Sequence, residues 1–165
     1  MMDLFTVSLF GHRKLDDLQQ TDDALSGVIR GLLKEKEYVS FLIGRNGEFD
    51  EYAASVIKRV QKELGKENSD LTLVLPYTVA DIEYYKNYYD DIIIPDCTHG
   101  VHPKGAITQK NRWMVEQSDL VLVNVSHNEG GAYRATKYAE RMCKKIINLT
   151  HTETLDEKAQ PLEKA

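Results

Sequence analysis

The sequence predicts an α/β fold: a single domain with a doubly wound, mainly parallel sheet of about six strands and five helices. Apolar stretches of strand length recur along the chain, and several are nearly continuous in Val, Ile and Leu, as in strands buried on both faces. Segments with a helical period separate them. The 165 residues suffice for one buried core and are too few for two ordinary domains. Strict alternation of strand and helix implies right-handed crossovers between parallel strands.

The elements are expected in the following order. Strands are predicted over Phe5–Phe10, Val39–Ile43, Leu71–Leu75, Ile92–Ile94, Leu120–Val125 and Ile146–Leu149. Two helices are indicated by apolar residues that share one face, namely Leu25, Val28, Ile29, Leu32 and Leu33, then Ala53, Val56, Ile57, Val60 and Leu64. Three more are predicted over Val79–Asp90, Gly105–Ser118 and Gly130–Cys143. Residues 1–150 form the predicted domain, and the polar residues 151–165 a peripheral tail.

Composition narrows the function classes. Lys and Arg number 21 against 26 Asp and Glu, and the net charge of −5 makes nucleic acid an unlikely partner and disfavours a polybasic membrane binder. No stretch reaches the roughly 18 apolar residues of a membrane helix. Met1-Met2-Asp3 lacks the basic start of a signal peptide, and Cys97 and Cys143 are too few for a disulfide framework. We therefore expect a cytoplasmic protein.

Ligands of such sheets bind beyond the carboxyl ends of the strands, so the loops there are the candidate sites. The first strand is followed by Gly11, His12 and Arg13, which combine a permissive backbone with positive charge. An ordinary turn with solvated basic residues explains these three residues equally well.

The second strand leads through Gly44, Asn46 and Gly47 into a helix, where free backbone N–H groups and the helix dipole suit an anion. Asp50 is a natural N-cap for that helix. Its functional alternative is to accept hydrogen bonds from a ribose, since its charge disfavours a phosphate beside it.

The loop after the fifth strand ends in Gly130-Gly131 at another predicted helix start, which suits a phosphate or pyrophosphate. Glu129 is the acid in this loop and a candidate for acid–base chemistry. A solvated loop glutamate is the structural alternative.

The helix predicted over Gly105–Ser118 carries Asn111 on the same face as Ile107, Met114 and Ser118. A polar group on a buried face needs a partner, which is either backbone or a ligand. Lys110 and Arg112 flank Asn111 and could reach phosphate oxygens.

Two weaker patterns carry no prediction of a site. The spacing of Cys97, His99 and His102 lacks a matching ligand set elsewhere, and we expect no metal. Five of the nine tyrosines fall between Tyr77 and Tyr89, where a half-buried helix or a dimer contact explains them as well as stacking on a base.

Five motifs in order resemble the SLOG superfamily, a Rossmann-like group that contains the Lonely Guy phosphoribohydrolases and the DNA-processing protein DprA. They are Phe10-Gly11-His12-Arg13, Ile43-Gly44-x-x-Gly47-x-Phe49-Asp50, Pro76-Tyr77, Asn111-Arg112-Trp113-Met114-Val115 and Gly130-Gly131-Ala132. The resemblance covers Phe5 to about Leu149 and is closest to the small bacterial YpsA-like proteins.

The resemblance implies a nucleotide-type ligand lined by Gly44, Gly47, Asp50, Gly130 and Gly131, and it also implies a homodimer. Asn111 and Arg112 match the family's Arg-Asn-Arg-x-Met segment, with Lys110 in place of the first arginine. The position of the Lonely Guy catalytic glutamate holds Thr136.

The leading hypothesis is therefore binding or sensing of a nucleoside phosphate or ADP-ribose-like molecule, with no separate cofactor. The alternative is an enzyme acting on an N-glycosidic bond, a nucleotide phosphoribohydrolase or a relative of nucleoside deoxyribosyltransferases. It would use Asp50 and Glu129 as catalytic carboxylates. Single-stranded DNA binding like that of DprA is the weakest alternative, because the chain is acidic.

Overall fold

The computed structural model describes residues 2–151, and the predicted tail after His151 lies outside the described residues. Within these residues six strands form one sheet, all paired in parallel: β1 Leu4–Gly11, β2 Tyr38–Ile43, β3 Ser69–Val74, β4 Asp91–Ile93, β5 Leu120–Asn124 and β6 Lys145–Asn148. Five α-helices connect them: α1 Leu18–Glu35, α2 Glu48–Leu64, α3 Ile82–Tyr88, α4 Pro103–Gln117 and α5 Gly131–Arg141. The predicted doubly wound α/β fold is confirmed.

The sheet has the order β4-β3-β2-β1-β5-β6, so the strand order reverses between β1 and β5. The chain winds outward from β1 to β4 and then crosses back to place β5 on the other side of β1. Gly11 at the end of β1 pairs in register with Asn124 at the end of β5. The loops that follow these two strands therefore diverge and leave a crevice, which is the usual ligand position in such sheets.

Alternate side chains of the central strands belong to two separate core layers, one on each face of the sheet. Val7 and Leu9 of β1 belong to the layer that packs under α1 and α2, whereas Phe10 belongs to the layer under α4 and α5. Burial on both faces explains why these strands contain almost continuous apolar residues. The small residues Ala132 and Ala135 let α5 pack closely on the sheet.

Two expectations about helices need correction. The N-cap of α2 is Gly47, and Asp50 lies inside the first turn, where its carboxylate accepts a hydrogen bond from the Asn46 N–H. The prediction of Asp50 as N-cap is therefore wrong, because the helix begins at Glu48. The third helix is also shorter than the predicted Val79–Asp90, since it ends before Tyr89 turns into extended backbone. Within residues 2–151, none of the helices is long and apolar enough to span a membrane.

Candidate functional site

A cavity of about 870 Å³ lies at the carboxyl end of the sheet, where the strand order reverses; we call it the switch-point cavity. It is enclosed by the loops after β1, β2 and β5 and by the first half of α4. Its lining residues are Phe10, Gly11, His12, Arg13, Lys14, Asp16, Asn46, Asp50, Lys104, Ile107, Thr108, Lys110, Asn111, His127, Glu129, Gly130, Gly131, Ala132 and Arg134. The volume is in the range of small-molecule and cofactor sites.

The charge of the lining differs from the charge of the whole chain. Five lysine and arginine side chains face three aspartates and glutamates around the cavity, although the chain carries a net charge of −5. Concave surfaces with one dominant sign of charge concentrate ligands of the opposite sign. The cavity is therefore electrostatically suited to an anion.

Two ionisable groups of opposite charge type, Lys110 on α4 and Asp50 on α2, lie buried near each other in the cavity wall. The two side chains keep 2% and 7% of their surface exposed. Burial lowers the pKa of Lys110 to about 8, although the nearby Asp50 opposes that shift. Burial raises the pKa of Asp50, against the effects of Lys110 and of the Asn46 N–H. A buried amine beside a carboxyl group is a candidate recognition group for a charged ligand.

Gly44 makes room for this pair without lining the cavity itself. A methyl group added at Gly44 would lie 2.7 Å from the Lys110 Nζ and 3.2 Å from the Asp50 Oδ2. The glycine is thus required by the close approach of the two polar groups.

His12 connects the loops after β1 and β5 across the crevice. Its Nε2 accepts hydrogen bonds from the backbone N–H of Ser126 at 3.1 Å and of His127 at 3.4 Å. The imidazoles of His12 and His127 stack with their centroids 3.6 Å apart. Burial lowers the pKa of His12, and the adjacent His127 lowers it further, while Asp16 opposes both effects. These contacts need a neutral His12, because a protonated Nε2 cannot accept a hydrogen bond.

Two polar side chains on α4 and its C-cap differ in their hydrogen bonding: that of Ser118 has its partners among the described residues, and the Oδ1 of Asn111 does not. Ser118 donates to the Met114 carbonyl at 2.7 Å and contacts the hydroxyl of Ser8 at 2.5 Å, so its partners are structural. The Oδ1 of Asn111 is buried at the cavity and has no hydrogen-bond partner within residues 2–151. A buried acceptor without a partner is costly in a folded protein, and a ligand donor would satisfy it.

Of the predicted site residues, ten line the cavity: Gly11, His12, Arg13, Asn46, Asp50, Lys110, Asn111, Glu129, Gly130 and Gly131. Glu129 and Gly130 are exposed at its rim. Gly130 has φ +94°, a conformation that other residues adopt only with strain, and it directly precedes α5. The structure thus brings these residues together from separate parts of the chain.

Two of the remaining predicted residues have other surroundings. Gly47 lies against the backbone of Arg13, because a methyl group added there would approach the Arg13 Cα to 2.5 Å. Arg112 points to the groove between α4 and α5, where its guanidinium lies 5.1 Å from the ring centroid of Tyr138. Neither residue lines the cavity.

Sequence reasoning missed several lining or adjacent residues. Lys104, Thr108 and Arg134 line the cavity from α4 and α5, on the same helix faces as residues that were predicted. Thr108 and Lys104 precede Asn111 by three and seven residues, and Arg134 follows Gly130 by four, so helical periodicity could have indicated them. Asn124 ends the apolar strand β5 beside Gly11, and its buried Oδ1 also lacks a hydrogen-bond partner among the described residues. A polar residue that ends an apolar strand was the available signal.

The patterns set aside in the sequence do not join this site. Within the described part of the chain, no three His, Cys, Asp or Glu side chains come together in a way that could hold a metal ion. The tyrosines of α3 and its surroundings pack on one another, and Arg45 lies 5.3 Å over the ring of Tyr85.

Comparison with known proteins gives structural likeness only. No family model matches the chain, and no curated protein matches it. Among solved structures, DNA processing protein A (DprA) from Streptococcus pneumoniae superposes with a TM-score of 0.63 at 16% identity. That match covers 87% of this chain and 49% of the pneumococcal protein, so the chain spans about half of that relative.

Two further structures show the same fold. DprA from Helicobacter pylori, described for its single-stranded DNA binding mode, matches with a TM-score of 0.59 at 16% identity over 94% of this chain and 73% of that one. The molybdenum cofactor carrier protein from Chlamydomonas reinhardtii matches with a TM-score of 0.56 at 14% identity, over 96% and 87%. The chain therefore has a DprA-like Rossmann-type fold. The expectation that nucleic acid is an unlikely partner finds no support in these neighbours.

Proposed function

We propose that the chain binds a nucleotide or a nucleotide-derived small molecule, such as a nucleoside phosphate or an ADP-ribose-like compound, in the switch-point cavity. The observation that carries this proposal is the excess of basic side chains around a cavity of ligand size in an acidic chain. An uncharged ligand would need no such excess. A phosphate group, by contrast, forms its strongest hydrogen bonds with lysine and arginine.

The two ends of the cavity suit different parts of such a ligand. The backbone at Gly130-Gly131 begins α5 and lies near Arg134, which favours a phosphate at this end. The carboxyl group of Asp50 favours sugar hydroxyls on its side, where Lys110 is the buried cation next to it. The unpaired Oδ1 of Asn111 can accept from a hydroxyl or an amino group.

The family resemblance supports the same proposal. We place the chain in the YpsA-like branch of the SLOG superfamily on its five motifs, of which the first and the last line the cavity together with Asp50 and Asn111. The dimer that this resemblance implies is a separate prediction, which light scattering of the purified protein tests.

Thermal unfolding with a panel of compounds tests the proposal. Nucleoside monophosphates and diphosphates, ADP-ribose and NAD form the panel, and the corresponding nucleosides without phosphate are the matched controls. A ligand that binds only the native state at about a hundred times its Kd stabilises it by about 2.7 kcal/mol, which raises Tm by several degrees. We expect a rise with phosphorylated compounds alone. No rise with any compound, or equal rises with the nucleosides, would contradict the proposal.

An N-glycosidic-bond enzyme is the second candidate, favoured by the presence of both Asp50 and Glu129 in the lining of one cavity. A carboxylate near the anomeric carbon would act as nucleophile or stabilise an oxocarbenium-like state. Chromatography after incubation with nucleoside monophosphates tests it. Release of free base that is lost in Glu129→Gln or Asp50→Asn would support catalysis, and intact nucleotide would support binding alone.

Single-stranded DNA binding is the third candidate, because the Helicobacter pylori neighbour is described by its single-stranded DNA binding mode and the cavity is basic. Binding of this type weakens steeply with added salt, since each phosphate contact releases counterions. Fluorescence anisotropy of a labelled oligothymidylate at increasing salt measures it. No binding at low salt would eliminate this candidate.

A further inference from the structure

A second, smaller concavity lies between α4 and α5, beside the switch-point cavity. Its volume is about 90 Å³, and three of its lining residues are arginines, Arg112, Arg134 and Arg141; we call it the arginine pocket. The other lining residues are Ile107, Thr108, Asn111, Gly131, Ala135 and Tyr138, so no acidic side chain is among them. All three arginines are exposed to solvent, and three guanidinium groups around one small pocket make an anion between them electrostatically favourable.

Tyr138 orients two of these arginines. The guanidinium of Arg112 lies 5.1 Å from the centroid of its ring and that of Arg141 lies 5.5 Å away. The Tyr138 hydroxyl in turn bonds to the Glu116 carboxylate. Stacking on an aromatic ring pre-organises a guanidinium, so less side-chain entropy is lost when it binds a ligand.

The arginines of the pocket are not paired with carboxylates of the described part of the chain. Among residues 2–151, none of Arg112, Arg134 and Arg141 forms an ion pair with a carboxylate within 4 Å. By contrast, Arg30 and Arg59 on the opposite helical layer are paired with Glu63 and Asp22. The charge of the arginine pocket is therefore available to an external anion.

The arginine pocket continues the switch-point cavity. The two share Ile107, Thr108, Asn111, Gly131 and Arg134 in their walls. A volume of 90 Å³ corresponds to about three water molecules at ~30 Å³ each, enough for a phosphoryl group and too little for a nucleobase.

We propose that the arginine pocket binds a second phosphoryl group of the ligand whose nucleotide occupies the switch-point cavity. This inference rests on the proposed function and extends it by naming the ligand class: a nucleotide with more than one phosphoryl group. The second group can belong to a small molecule or to the next nucleotide of a single strand. Arg134, which lines both spaces, lies between the two phosphate positions.

Isothermal titration calorimetry tests this assignment with AMP, ADP, adenosine 3′,5′-bisphosphate and a short oligothymidylate as probes. In the wild-type protein we expect ADP or the bisphosphate to bind about tenfold or more tightly than AMP, the gain from charge-assisted hydrogen bonds to the second phosphate. An oligothymidylate that binds more tightly than ADP and the bisphosphate would identify a strand as the source. An oligothymidylate that binds no more tightly than AMP, while ADP or the bisphosphate shows the gain, would identify a small nucleotide.

The readout is the ratio of the Kd for AMP to the Kd for the better doubly phosphorylated compound, which cancels any general change in affinity. The double variant Arg112→Gln with Arg141→Gln should reduce this ratio to about one. Lysine at both positions should restore part of it, because the positive charge remains but the planar guanidinium, which can form two parallel hydrogen bonds, is lost. Lys34→Gln with Lys62→Gln removes the same charge from exposed positions on α1 and α2 and should leave the ratio unchanged.

The outcomes separate the two proposals. Binding of AMP without any gain from a second phosphoryl group, or a gain that survives in the double glutamine variant, overturns the arginine-pocket assignment and leaves the proposed function intact. Failure of AMP and of every other nucleotide to bind the folded wild-type protein overturns both.

Discussion

Lys110 offers the sharpest prediction, because its buried amine has a pKa of about 8 and lines the cavity. We predict that nucleotide affinity falls as pH rises through that value and that Lys110→Met abolishes this dependence. The direction of this change follows from the ionisation of the Lys110 amine: the ammonium form, which attracts phosphate, exists below the pKa and is lost above it. An exposed lysine keeps its charge to about pH 10.4 and cannot produce this effect.

The magnitude follows from the titration. At about pH 7 roughly 90% of an amine with a pKa of about 8 is protonated, and at about pH 9 roughly 10%, so affinity should fall about ninefold if the ammonium is required. Removing the amine altogether should weaken binding about 10- to 100-fold, from the ~1.5–3 kcal/mol of a hydrogen bond to a charged group.

Calorimetric titration with a nucleoside diphosphate at a series of pH values measures both effects, since its phosphates change charge little above about pH 7. Thermal unfolding of Lys110→Met confirms that the variant is folded, which we expect because methionine is similar in length and apolar. Lys62→Gln, an exposed change on α2, is the matched control and should retain the wild-type pH profile. A flat wild-type profile, or the same slope in Lys110→Met, would refute the role of the buried amine.

Three further changes have defined outcomes. Gly11→Ala should lower the free energy of unfolding, measured in urea, by about 1–3 kcal/mol, because the new methyl group meets the fully buried ring of Phe49. The control Gly27→Ala, which places a methyl group in open space on α1, should raise it by roughly 0.5–1 kcal/mol. Equal urea midpoints for the two variants would contradict the packing described at Gly11. Gly44→Ala should displace the Lys110 amine and weaken nucleotide binding in calorimetry with little change in Tm, and unchanged affinity would count against it. The protein should lose stability as pH falls below about 6.5, because the pKa of His12 is lowered in the folded state and its Nε2 must stay an acceptor. His12→Phe should therefore reduce the change of Tm with pH. A His12→Phe profile as steep as that of the wild type would refute this role of His12.

The sheet could be predicted well from the sequence because strands buried on both faces consist of almost continuous apolar residues. Every strand of the structure overlaps a predicted apolar stretch, and the errors are confined to one or two residues at the ends. The start of α2 was misjudged because a carboxylate inside the first turn can accept a backbone hydrogen bond as an N-cap does, as Asp50 does from Asn46.

The site was only partly predictable, for a physical reason. Glycine-rich loops at strand ends follow from the topology, so Gly130 and Gly131 were found. The proximity of Lys110 to Asp50, by contrast, depends on how α2 and α4, which cover opposite faces of the sheet, meet at its carboxyl end, which no local pattern encodes. The same holds for the stack of His12 on His127, whose residues are far apart in the chain.

The most direct test of the central claim is an ¹⁵N–¹H correlation spectrum recorded during titration with the nucleotide that raises Tm most. Ligand in the switch-point cavity should shift the backbone amide signals of Gly11, Gly130 and Gly131, with those of Gly27 and Gly31 on α1 unmoved as internal references. Saturable shifts confined to the cavity residues are the predicted result. Shifts that bypass all three cavity glycines and cluster on another surface would contradict the assignment of the site.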